Sequence, residues 1–189
     1  MVAFDPDNDD FEFLPAYSDM AEKLAVNRTG RLTGGQRRIL LGTGSVALVF
    51  LLCPMIFLVQ IGIMVAGEGA DVLTTLAGGG FVFFGLLMVL VFVILIGSNA
   101  HTFLSDALRK QPVRYARGEL RVHMSEKNRP ELPFSYIVDD YSFAPYTQPA
   151  DLPMKVGSPY LVYYARHSRI LLSIAALEAP DADQWKPEF

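Results

Sequence analysis

Cysteine is all but missing from this chain of 189 residues: Cys53 stands alone, in the middle of an apolar stretch. An intrachain disulfide is therefore excluded, and so is a metal site built on cysteine pairs. Histidine is nearly as scarce. His101, His123 and His167 stand far apart, and none has metal-ligand spacing to another. The run Gly78-Gly79-Gly80 is set in apolar sequence with no lysine after it, so it does not read as a phosphate loop. No Gly-x-Ser-x-Gly elbow occurs. These patterns assemble no nucleophile, general base or ligand set. They imply a protein without catalytic residues and without a cofactor.

The absence of charge is more informative. Residues 39–67 contain no Asp, Glu, Lys or Arg, and neither do residues 72–104. Only a short stretch separates them, with Glu68 and Asp71. A bilayer core of about 30 Å needs roughly 20 apolar residues as helix, and both runs exceed that. The pattern predicts transmembrane helices at about 39–66 and 72–100, joined as a hairpin within residues 36–111. The first run does not read as a signal peptide, because it lies behind an acidic segment and lacks a small-residue cleavage pattern.

Lysine and arginine are also missing from the loop between the runs. They cluster outside it: Arg28, Arg31, Arg37 and Arg38 before the first run, Arg109 and Lys110 after the second, then Arg114 and Arg117. Basic residues at helix ends favour the cytoplasmic side. Both flanks agree, as an even number of crossings requires, so both termini are expected in the cytoplasm of a plasma or inner membrane. Arg28, Arg31, Arg37, Arg38, Arg109 and Lys110 are the expected membrane-interface residues. This topology also argues against glycosylation at the sequon Asn27-Arg28-Thr29. Outside the membrane flanks no face or run is strongly basic, which argues against nucleic acid.

Within the runs, polar and small residues carry the detail. Pro54 removes a backbone hydrogen bond from the first helix and is expected to kink it. Gln60 is its one strongly polar deep side chain, suited to a hydrogen bond across helices. Gly62 with Ala66, and Thr43 with Ala47, form small-xxx-small pairs. With Gly78, Gly79 and Gly80 they suggest tight helix packing. Neither run holds an acidic, basic or histidine side chain in its core, where an ion or proton path needs one.

Residues 1–35 form an acidic segment with interleaved aromatics, ending in a short helix. Asp5-x-Asp7-x-Asp9 matches the start of a calcium loop, but Asp10 replaces the required Gly and Ala16 the required Glu. Phe11 and Phe13 are candidate anchors for a partner. Ser18 starts a helix through about Val26, with Asp19 and Glu22 in its first turn. Tyr17, Ala21 and Leu24 share one face, expected to lie near the membrane surface. Thr33 can cap the next helix, with Gln36 as its capping-box partner.

After Gln111-Pro112 the pattern turns to short alternating runs. Residues 113–122 read as one strand bent near Gly118, or two joined there. Leu132, Phe134, Tyr136 and Val138 alternate with polar or smaller residues. Residues 159–164 and 169–174 read as a hairpin. Asp139-Asp140 reads as a turn. The expected fold is thus a two-helix transmembrane hairpin followed by a small antiparallel β-barrel or curled sheet over 112–177. Its core would use Val122, Leu132, Phe134, Tyr136, Leu161, Tyr163, Ile170 and Leu172, or the alternate phase of each strand. Residues 178–189 are expected to be a mobile tail. Tyr163, Tyr164, Arg166 and His167 lie in the densest polar cluster, a candidate contact patch; tyrosines lining a barrel rim beside a solvated basic turn explain it better.

In layout, a two-helix anchor before a small β-barrel, the chain resembles the NfeD-type membrane proteins that accompany stomatin-like partners. It lacks the recurrent Gly-Val spacing of their barrels. The function these features imply is that of an accessory or scaffolding subunit in the lipid bilayer, bound to other membrane-protein subunits. The rival is an oligomeric transporter or channel built from several hairpins.

Overall fold

The structure is a computed structural model that describes residue 16 and residues 18–67, 72–124, 133–144 and 154–189. The described residues hold three helices, α1 (Ser18–Asn27), α2 (Gly34–Gly67) and α3 (Val72–Leu108). Five strands follow: β1 (Val113–Met124), β2 (Pro133–Val138), β3 (Tyr141–Phe143), β4 (Pro159–Ala165) and β5 (Leu171–Ala176). A 3-10 helix, Ala182–Trp185, lies near the C-terminus. The chain divides into two compact units. One is Met1–Gln36 with Arg109–Phe189, the sheet unit; the other is Arg37–Leu108, the helical unit.

In the helical unit, α2 and α3 have 34 and 37 residues. At 1.5 Å per residue they are about 51 and 55 Å long, more than a hydrocarbon core of about 30 Å. Their most apolar described stretches, Gly34–Phe57 and Phe83–Leu108, are long and apolar enough to span a membrane. Helix α2 is continuous through Pro54. The two helices meet closely at Gly44. A Cβ added there would lie 2.7 Å from Leu104 Cγ and 3.4 Å from the Ala100 carbonyl oxygen. An early residue of α2 thus touches the last turns of α3.

The sheet unit is built on one antiparallel sheet of order β3-β2-β1-β4-β5. Strand β1 is long because it serves two partners: residues 113–119 pair with β4 and residues 120–124 with β2. The change of partner falls between Glu119 and Leu120, just after Gly118, where an added Cβ would come within 3.3 Å of the Asp139 backbone nitrogen. Asp139 and Asp140 form the turn between β2 and β3, with Asp139 at a φ of 55°. Aspartate tolerates that left-handed conformation better than bulkier residues do.

The expected barrel is not closed. Strand β3 has only three residues, and it does not pair with β5. The outer edge of β5 is met by other groups instead. The Gln36 side-chain amide donates to the Leu172 carbonyl, and the Ala179 N–H donates to the Ala176 carbonyl. An edge occupied by a side chain and a turn has no room for a closing strand.

Burial also departs from a single-face core. The concave face holds Ala116, Leu120, Tyr136, Val138, Tyr141, Phe143, Tyr160, Val162, Tyr164 and Ile174. On β4 this is the alternate phase to the Leu161 and Tyr163 expected. Yet Leu161, Tyr163 and Ala165 are buried too. The reason is a second layer. Helix α1 packs on β5, and the 3-10 helix packs on both. Leu24, Ala182 and Trp185 are buried in this layer. Strand β4 is therefore covered on both faces, and period-2 patterning cannot show which face is the core.

The segment 178–189, expected to be mobile, is held by specific bonds. The Tyr163 hydroxyl donates to the Trp185 carbonyl at 2.7 Å. Trp185 Nε1 and the Ala16 N–H both donate to Asp181 Oδ2, at 3.0 and 2.9 Å. The Glu188 N–H donates to the Arg28 carbonyl, and the Phe189 ring packs edge-on against Tyr115. Polar composition suggested a solvated tail; a buried tryptophan and a twice-used carboxylate tie it down.

Candidate functional site

Two features of the described residues bear on function: the apolar surface of the helical unit, and one end of the sheet unit. On the helices the large apolar side chains point outward. Phe84 is 68% exposed, Ile63 67% and Phe57 64%. Only 12% and 11% of the residues in the two most apolar windows are buried. Gln60 is exposed on this surface. Gly62, Gly79 and Gly80 face open space, with nothing within 4 Å of an added Cβ. Gly78 lies on the same helix, α3.

The close approach is made by Gly44, which the small-xxx-small pairs did not point to. Its only sequence signal is the alternation Gly42-x-Gly44 in a stretch of small residues. Asp106 carries no signal in the sequence pattern. It lies just beyond the charge-free run and is fully buried in the last turns of α3.

The sheet unit starts with a local device that was legible in advance. The Thr33 N–H donates to Gln36 Oε1 at 3.0 Å, and the Gln36 N–H donates to Thr33 Oγ1 at 3.2 Å. This reciprocal pair is the capping box, satisfying two donors that a helix start leaves unpaired. The other Gln36 amide atom binds Leu172, as above. Before it, α1 ends in a turn at Gly30, with φ of 80°, a conformation that favours glycine. An added Cβ there would lie 3.3 Å from the Phe189 ring and 3.6 Å from Gln111. Asn27 of the sequon is wholly buried, and its amide donates to Ser173 Oγ at 2.8 Å. Helix α1, expected near the membrane surface, lies on β5 in this way.

The polar cluster around the β4–β5 hairpin is divided by the sheet. Tyr163 points into the second layer. Tyr164 points to the concave face, where its ring stacks on Tyr141 at 4.3 Å between centroids. Arg169, in the turn with a φ of 53°, lies 5.5 and 5.3 Å above the rings of Tyr141 and Tyr164. Its guanidinium donates to the Asp140 carbonyl at 3.0 Å, and its carbonyl accepts from the Tyr141 hydroxyl at 2.8 Å. Burial pushes the phenol of Tyr160 up to about 12 and raises those of Tyr141 and Tyr163 as well. These tyrosines stay neutral and serve as packing with one polar end. Arg166 and His167 are exposed in the turn.

Of the expected interface residues, Arg31, Arg37, Arg38, Arg109 and Lys110 are exposed. Arg28 is engaged by Glu188 at 3.1 Å and donates to the Gln184 carbonyl. Phe11 and Phe13, and the partial calcium motif, lie outside the described residues. Among the described residues, no group of three or more His, Cys, Asp and Glu is gathered to hold a metal ion. In comparisons with known proteins, no family model, curated protein or solved structure matches this chain.

Proposed function

We propose that the chain is a non-catalytic integral membrane protein: α2 and α3 cross the bilayer, and the sheet unit is a cytoplasmic contact module. It would serve as an accessory or scaffolding subunit of a larger membrane complex. The observation that carries this reading is the outward apolar surface of α2 and α3. A core helix of a soluble protein buries its large side chains, whereas here nearly nine in ten residues of the apolar windows are unburied. Lipid or neighbouring subunits remove that surface from water. Arg37 and Arg38 at one flank, and Arg109 and Lys110 at the other, support a cytoplasmic sheet unit.

Two measurements test the proposal. Alkaline carbonate should leave the full chain in the membrane pellet. In a Cys53→Ser background, a cysteine at Glu68 should react with an impermeant maleimide on intact cells, and one at Glu178 only after permeabilisation. Extraction by carbonate, or the reverse labelling, sinks the anchor reading. A mild-detergent pulldown from native membranes then tests the subunit role: recovery of the chain by itself, with no stoichiometric companion, counts against it.

Gln60 favours a second reading. An exposed amide on an apolar helix needs a hydrogen-bonding partner in lipid, which another hairpin can supply. Oligomeric hairpins could then form a transport path. Solute flux in liposomes that Gln60→Leu abolishes would favour the transporter over the subunit.

A further inference from the structure

Basic residues far apart in sequence meet at one end of the sheet unit. The Arg166 N–H donates to the Pro112 carbonyl at 2.8 Å, and Ala165 pairs with Val113. This sets the β4–β5 turn beside the segment that follows α3. Gly30 lies against Gln111, which brings Arg31 to the same place. Arg114, opposite Tyr164, completes the group. Arg31, Arg109, Lys110, Arg114 and Arg166 are all exposed. The ion pairs among the described residues are Lys23–Asp19, Arg28–Glu188 and Lys186–Asp183, and none of them uses these five. Asp139 and Asp140 are carboxylates near this end, beside Arg169, and Glu188, paired with Arg28, is another.

The same end is where the chain leaves the sheet for both apolar helices. Gln36, in the first turn of α2 and the last residue of the sheet unit before the helical unit begins, binds Leu172 at the start of β5. Arg109, the first after α3, precedes β1 by a few residues. A basic rim with two bilayer-length apolar helices issuing from it matches one partner by charge and by connection: the anionic headgroups of the bilayer those helices enter. We propose that this rim binds anionic phospholipid, and that the sheet unit prefers membranes rich in it. The inference rests on the anchor reading above. Guanidinium groups suit it, because each presents several N–H donors to phosphate oxygens.

The test uses the full chain in non-ionic detergent, titrated with phosphatidylglycerol or phosphatidylcholine, with bound lipids counted by native mass spectrometry. Wild type should take phosphatidylglycerol more tightly than phosphatidylcholine. Arg114→Gln with Arg166→Gln should weaken phosphatidylglycerol about 25-fold, from about fivefold per basic residue near an anionic surface, and leave phosphatidylcholine unchanged. Glu119→Gln with Glu178→Gln, at the opposite end of the sheet, is the control. If that pair alters binding as strongly, net charge and not the rim sets affinity, and the proposal falls. It also falls if wild type binds both lipids alike, or if the double arginine variant is unchanged. Carbonate extraction of the same proteins separates the two readings. A stripped chain overturns the anchor; a carbonate-resistant chain indifferent to lipid charge overturns the headgroup site alone.

Discussion

The rings of Tyr141 and Tyr164 stack with 4.3 Å between centroids and 11° between planes, although β2 and β1 separate their strands in the sheet. In a flat sheet, strands three places apart would lie about 14 Å from each other. The contact therefore measures how far the sheet curls. It brings the short edge strand β3 over β4, close to closure without a closing hydrogen-bond ladder. Arg169 above both rings adds cation–π attraction and ties the hairpin turn to Asp140.

Removing either ring should therefore open the curl. Tyr141→Ala is expected to cost about 3–5 kcal/mol, the usual range for a buried aromatic. Tyr141→Phe keeps the stack and loses the bond to the Arg169 carbonyl, for about 1 kcal/mol. Urea unfolding of the full chain in micelles, followed by near-UV circular dichroism, should separate the two. Equal losses from Ala and Phe would show that the hydroxyl matters and the stack does not.

Alkaline pH should loosen the same unit. Burial raises the phenols of Tyr141, Tyr160 and Tyr163 above the unfolded value of about 10. Below pH 10 both folded and unfolded chains hold these protons, and stability is complete. As pH rises further, the unfolded chain releases them first. Stability then falls by about 1.4 kcal/mol per pH unit for each such tyrosine. Melting temperature should be flat up to about pH 10 and drop steeply beyond it, with tyrosinate absorbance appearing together with unfolding. Early tyrosinate absorbance from the folded chain would contradict the burial.

Gly44 should be the sensitive glycine of the helical unit. Gly44→Val places carbon where Leu104 Cγ and the Ala100 carbonyl already stand. Overpacking of this kind costs about 1–3 kcal/mol. Gly62→Ala, which meets open space, should be neutral in the isolated chain. Thermal aggregation in detergent, read by size-exclusion chromatography, ranks the variants. Leu104→Ala should restore much of the loss in the Gly44→Val background; no restoration would mean that the two residues do not form the contact.

Trp185 is the chain's only tryptophan, so its fluorescence reports on the C-terminal layer alone. Asp181→Ala removes the acceptor of both Trp185 Nε1 and the Ala16 N–H. A loss of about 2 kcal/mol is expected for bonds to a charged acceptor, with a red-shifted emission as the indole meets water. An unshifted spectrum would show that the layer holds without Asp181.

What the sequence determined by itself was local. Two charge-free runs suffice for two long helices, because length and apolarity are properties of neighbours in the chain. The capping box at Thr33 and Gln36, the turn at Asp139-Asp140 and the β4–β5 hairpin are likewise written within a few residues. Tertiary structure decided the rest, and in each case the cause acts at a distance. The Gln36 amide on Leu172 helps to keep a barrel from closing. Tyr163 is buried on the face opposite the concave core because α1 and Trp185 cover a face that alternation left undetermined. Gly44 matters because of Leu104, sixty residues on by number. Arg31, Arg114 and Arg166 become one rim only after β1 and β4 pair, since charge in sequence has no direction until the backbone hydrogen bonds assign it one.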